Sequence, residues 1–373
     1  MTRWPKRPAP MGDRWPRIDR TLHVVAQLLG CAVAAHAQQY AYVSNLGSNT
    51  VSVIDTATSS VVATLPVGDN PDGLAATPDG RLVYVANFLS DDVSVIDTGT
   101  ATVIATVPVG SGPVGVGITP DGAKAYVTNR GSNTVSVIDS STNTVRATIG
   151  VGLGPDAVAI APDGKFAYVA NSFSNAPGTV SVIDIGSNAL TAPVAVGRSP
   201  NRLAISPDGA LVYVTNFRSW NVSVIDTAAH AVATTIPVFG RPTGIAINPN
   251  GAELYVVTLG GRVETVGTDT NGLDAEVAVG DSPYGIATTR NGGLAYVANF
   301  GAGTASVIDL VAASSTTNVT VGTKPFAVAV NCIGSICAEP PFTPHPTRTP
   351  TITPTVTATS PPTATRQSRV LAR

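Results

Sequence analysis

Reactive side chains are scarce in the central part of this sequence, and that scarcity limits the chemistry open to it. Between Gln38 and Asn331 there is one histidine, His230, and no cysteine. A Ser-His-Asp or Cys-His nucleophile, a haem ligand and a histidine-based metal site each need an imidazole or thiolate at the reacting centre, so this stretch excludes them. Carboxylate, guanidinium and phenol chemistry remains. No catalytic residue is expected: Asp72, Asp156 and Tyr284 are candidate binding residues, and only an enzyme reading would use them, with Arg202, in a pocket at the axis. Arg198, Arg202, Phe217, Arg218, Trp220 and Arg241 form a second group, aromatic and basic, of the composition that binding hot spots favour. No metal and no cofactor is expected: Asp269 to Asp274 lacks the third acidic position and the distal Glu of a calcium loop, and its Asn-Gly pair predicts a hairpin turn.

Most of the other polar residues recur at regular intervals, and the recurrence identifies the elements that carry them. The tetrapeptide Tyr-Val-x-Asn, or a close variant, starts at Tyr42, Tyr84, Tyr126, Tyr168, Tyr213, Tyr255 and Tyr296, at spacings of 42, 42, 42, 45, 42 and 41. Each unit contains four short runs of strand-forming residues separated by turn signals, as in Val114 to Thr119, Ala125 to Asn129, Val135 to Asp139 and Val145 to Val151. Four strands per unit define a propeller blade. The long interval comes from an insertion between Ser172 and Gly178, expected as a surface loop. Asp55, Asp97, Asp139, Asp184, Asp226 and Asp309 end equivalent strands, where turn capping explains them better than catalysis. Asn45, Asn87, Asn129, Asn171, Asn216 and Asn299 are likewise expected to hydrogen-bond the loop that follows.

The first strand of each unit carries a small residue at one position: Ala75, Gly117, Ala159, Ala204, Ala246, Ala287 and Ala329. Large side chains would collide where strands converge on an axis, so this strand is placed innermost. The N-terminal unit lacks an innermost strand and the C-terminal unit ends with one, Pro325 to Val330. Joining the two halves closes a ring and removes open sheet edges. The fold class expected is all-β, a seven-bladed β-propeller of four-stranded blades over residues 38–331. Since strands alternate in direction, loops leading into the inner strand share one face with loops that follow Tyr-Val-x-Asn, and both candidate groups fall on that face. Loop packing that merely covers the blades is the plain alternative for the aromatics.

The recurring Tyr-Val-x-Asn, Ser-Val-Ile-Asp and Pro-Asp-Gly elements resemble the YVTN family of β-propeller repeats, known from surface-layer-like and exported proteins of bacteria and archaea. The resemblance implies the propeller fold and export but no single activity. Relatives on similar propellers include lactonases and redox enzymes that bind haem or quinone, and fold does not fix chemistry.

The flanks agree with export. Arg14, Arg17 and Arg20 precede an apolar stretch, and Ala35-His36-Ala37 offers a signal-peptidase site, giving a signal peptide over residues 1–37. Leu28-Leu29-Gly30-Cys31 keeps a rival reading open, lipidation at Cys31. In residues 332–339, Cys332 and Cys337 are expected to form a local disulfide in an oxidising compartment. From Pro340 to Thr365, 18 of 26 residues are Pro or Thr, so residues 340–373 are expected to be extended and disordered.

Between Gln38 and Asn331, 12 Lys and Arg face 21 Asp and Glu, a net charge of -9. Nucleic acid is therefore not an expected partner, because binding it needs a basic stripe. A secreted, periplasmic or cell-surface monomer is expected, acting as a binding or scaffold module for a protein, peptide or glycan at the varied face. Two alternatives stay open: a lactonase-like or quinone-linked enzyme using the axial pocket, and a structural surface-layer component.

Overall fold

The computed structural model describes residues 38–172 and 177–333. The expected signal peptide and cleavage site, Cys31, Phe173, Cys337 and the Pro/Thr-rich segment lie outside the described residues. Cys332 falls at the end of a strand, so the expected disulfide has only its first backbone position within them.

Every described element is a β-strand or a turn, and the strands form seven antiparallel sheets. The inner strands of blades one to seven are Pro325–Ile333, Pro71–Ala76, Pro113–Ile118, Pro155–Ile160, Pro200–Ile205, Pro242–Ile247 and Pro283–Thr288. Three further strands follow outward in each blade. In blade four the outermost is split into Ala189–Leu190 and Val194–Ala195 around Pro193, which has no N–H for the ladder. Asn171 pairs with Thr179, eight residues on, where Asn129 pairs with Thr134, five residues on. That difference is the insertion that lengthens the fourth spacing.

Closure is made by blade one, where Pro325–Ile333 pairs antiparallel with Gln38–Asn45 and sets Tyr42 opposite Ala329. Both faces of each sheet are covered by its neighbours. Tyr84, Val93 and Val95 of blade two pack with Ala125, Val127 and Ile138 of blade three, and the pattern repeats around the ring. All seven repeat tyrosines are at most 2% exposed, the reason their strands show no clean apolar-polar alternation.

The repeated polar residues hold the blade together, although the asparagine amides bond side chains of the next strand rather than the loop they were expected to bond. The Asn129 amide donates to Thr134 Oγ1 at 3.0 Å and Ser136 Oγ at 2.9 Å, and equivalent pairs recur at Asn45, Asn171 and Asn299. Asp97 Oδ1 accepts from the Thr100 N–H at 2.8 Å and Asp184 Oδ1 from that of Ser187 at 2.8 Å, each closing its turn. His230 sits in the turn between the two outer strands of blade five, against Phe166 and Tyr168 of blade four, far out on the ring.

The small position faces the next blade. A Cβ on Gly117 would lie 3.3 Å from Val158 of blade four, so the constraint there is blade-to-blade contact rather than collision across the axis. Two residues earlier the contact is tighter still: a Cβ on Gly73, Gly115, Gly244 or Gly285 would come within 2.7 Å of the adjoining inner strand.

Candidate functional site

Each inner strand begins with proline and shifts register against its neighbour just after it, as between Pro155 and Ala157 or Pro200 and Arg202. Such a bulge re-aims the side chains beside it. The residues so re-aimed are Asp72, Asp156, Asn201, Thr243, Tyr284 and Phe326, and they line one cavity of about 750 Å³ at the axial mouth. With Arg130 from blade three, every blade contributes a side chain to the wall.

Arg202 is the departure that organises this cavity. It occupies the position held by Gly73, Gly115, Ala157, Gly244, Gly285 and Ala327 in the other inner strands. Its guanidinium runs inward rather than across to the next blade. Nη1 donates to Asp156 Oδ1 at 3.0 Å and to the Asn201 carbonyl at 2.9 Å. Nη2 lies 3.8 Å from Asp72 Oδ1, an ion pair too long for a hydrogen bond. The same guanidinium lies over the Phe326 ring at 5.3 Å, and Arg130 Nη1 stands 3.6 Å from the other Asp156 oxygen.

Two buried carboxylates thus share one partly buried guanidinium. Burial pushes the Asp72 carboxyl up to about 7, with the Arg202 charge opposing and the Asp156 charge adding to the rise. The backbone of both acids is pinned from the preceding blade: Ser44 Oγ donates to the Asp72 carbonyl at 2.6 Å and Thr128 Oγ1 to that of Asp156 at 3.0 Å. On the opposite wall Tyr284 stacks on Phe326 with centroids 4.8 Å apart, and Phe300 packs against both.

A second cavity, of about 390 Å³, opens beside the first and is lined by Arg198, Phe217, Arg218, Trp220 and Arg241. Phe217 and Arg218 belong to both walls. The structure therefore divides the sequence candidates in two. Asp72, Asp156, Arg202 and Tyr284 come together at the axis, whereas Arg198, Trp220 and Arg241 gather at the rim. Arg202 leaves the aromatic-basic patch in which its sequence neighbours placed it, because the axial carboxylates draw its side chain inward.

Sequence reasoning missed Arg130 and Thr243. A signal for Arg130 existed: the residue after Tyr-Val-x-Asn is otherwise Leu46, Phe88, Ser172, Phe217, Leu259 or Phe300, so one guanidinium there breaks the repeat. Ser44 and Thr128 carry a similar signal, standing where three other copies have alanine.

The fold and cavity define a seven-bladed β-propeller with an asymmetric polar and aromatic mouth. The sequence profile of the Choice-of-anchor I domain family matches residues 23–199, just under half of the chain. No curated protein matches the chain in sequence. Among solved structures it is similar to the hydrazine synthase of Kuenenia stuttgartiensis, at 28% identity and a TM-score of 0.67 over 72% of this chain and 91% of that one. A functionally unknown protein from Desulfotomaculum acetoxidans DSM 771 is 17% identical, with a TM-score of 0.71 over 79% of this chain and 99% of that one. Dihydro-heme d1 dehydrogenase NirN, solved in complex with DHE, is 17% identical, with a TM-score of 0.59 over 78% of this chain and 74% of that one. At that identity the last two speak for the fold alone.

Proposed function

We propose that this protein is an exported, cell-surface propeller of the YVTN type that binds glycan at its axial mouth. The carrying observation is the ring of unlike side chains, one from each blade, around an open cavity. Sugar hydroxyls need both donors and acceptors, and the guanidiniums of Arg130 and Arg202 beside the Asp156 carboxylate supply both kinds. The C–H face of a sugar needs a flat apolar wall, which Tyr284 and Phe326 supply. Export and surface location rest on the leader sequence and on the similarity to a family described as a choice-of-anchor domain.

Screening the mature protein against a glycan array, followed by calorimetry on the hits, tests this. Asp156→Asn should lower affinity for a bound saccharide at least tenfold while the protein stays folded. Capture of no saccharide, or equal affinity in the variant, would overturn the reading.

One observation favours a second reading, an enzyme. A carboxyl raised to about 7 and lining the cavity is poised to pass a proton at neutral pH. The 28% identity to a protein named as a synthase fits that reading. Turnover lost in Asp72→Asn while binding persists would support it over simple recognition.

A further inference from the structure

We propose that the rim cavity of blade five is an acidic-sugar subsite, taking the ring of a uronate residue with its carboxylate between Arg198 and Arg241 and its face against Trp220. This rests on the glycan reading and names the class of glycan.

Charge is the first argument. The rim cavity is lined by three guanidinium-bearing residues and no carboxylate, on a domain where acids outnumber bases 21 to 12. Arg198 and Arg241 make no ion pair among the described residues. Holding the Arg198 and Arg241 charges side by side is unfavourable in the free protein and is offset when an anion binds between them. Arg241 Cζ lies over the Phe217 ring at 5.5 Å, a contact that leaves its N–H groups to pair with a carboxylate.

Backbone geometry is the second and is independent of charge. Trp220 has a φ of 56°, at a position that Asn49, Asp91 and Asn133 fill in other blades. A β-carbon is disfavoured in this region, and asparagine and aspartate are the residues that tolerate it best. Trp220 is 54% exposed, so core packing does not explain its presence. The adjoining loop departs in the same direction. Where the other six copies have a glycine such as Gly68 or Gly197, blade six has Phe239, 72% exposed. Its N–H donates to the buried Glu264, which replaces the repeat serine, and the preceding Val238 N–H donates to the Trp220 carbonyl at 3.1 Å. Two neighbouring loops have each exchanged a turn residue for an exposed aromatic.

Size and chemistry then choose the ligand. A cavity of about 390 Å³ holds one or two rings and is too small for a helix or strand. Inorganic phosphate would suit the guanidiniums but would leave the indole face unused. A uronate uses both. Because the two cavities share Phe217 and Arg218, a chain end seated at the axis passes over the rim.

Calorimetry of the full chain with tri-galacturonate and with its methyl ester tests the inference, alongside Trp220→Asn and Arg241→Gln. The free acid should bind at least tenfold more tightly than the ester, and each variant should lose at least tenfold for the acid with an unchanged circular dichroism spectrum. Equal affinity for acid and ester, or unchanged affinity in both variants, would overturn the uronate subsite while leaving an axial glycan site standing. Benzoate binding as tightly as the trisaccharide would overturn the sugar class. Binding of no saccharide, charged or neutral, would overturn this inference together with the glycan reading.

Discussion

Arg202 Nη1 and Asp156 Oδ1 come from the inner strands of adjacent blades and meet at 3.0 Å, with side chains 18% and 10% exposed. A pair so buried is expensive to break, since the remaining charge keeps its desolvation cost. Arg202→Gly restores the small residue of the other blades, so it removes charge without crowding the strand. It should cost about 3–5 kcal/mol at pH 8 and less at pH 5, where Asp72 takes up a proton. Denaturant titrations at the two pH values measure this, and an equal loss at both would point to packing instead.

Asp72 has a carboxyl at about 7 in the folded protein against an ordinary 3.8 when unfolded. Between those values the folded state holds a proton that the unfolded state has released, so this group makes stability fall as pH rises through the window. Asp72→Asn removes the titration. The variant should gain stability relative to the native protein between pH 4 and pH 7, which melting curves across that range will show. A constant difference would mean that Asp72 does not titrate there.

Trp220→Asn should raise stability by about 1 kcal/mol while it weakens ligand binding. Besides relieving the left-handed backbone, it replaces the indole with a side chain that caps the neighbouring loop elsewhere. Asn49 Oδ1 accepts from the Asn70 N–H at 2.9 Å, and Asn133 Oδ1 from that of Gly154 at 2.8 Å. Thermal melting of the variant checks the gain.

Gly152 lies directly on Asn171: a Cβ built there would fall 2.5 Å from the side-chain amide. Gly152→Ala must therefore displace an amide already held by Thr179 and Ser181. Overpacking of this kind costs about 1–3 kcal/mol. Denaturation midpoints will show it, and Gly150→Ala, where nothing lies within 4 Å, serves as the control.

Ending the chain after Lys324 removes the strand that pairs with Gln38–Asn45 and leaves an open edge in blade one. Exposed edges recruit other chains, so size-exclusion chromatography should show aggregates in place of a discrete species. A truncated chain that stays monodisperse with unchanged melting would contradict the role assigned to closure.

The sequence by itself determined the ring. Tyr42 to Tyr296 recur because each occupies the same buried site between blades, and a periodic environment writes a periodic sequence. The incomplete terminal units located the closing strand for the same reason. Recurrence also separated Asp97 and Asn129, which serve the blade, from Asp72 and Trp220, which do not. Only the tertiary structure decided which exceptions meet. Arg202 is close in sequence to Arg198 and on the same blade as Trp220, yet its partners Asp156 and Asp72 lie 46 and 130 positions away in the chain. Its direction depends on a bulge after Pro200, on the glycine or alanine at the matching position in the other blades, and on two carboxylates that ring closure brings to the axis. Those are relations between blades, and a repeat read one unit at a time does not contain them.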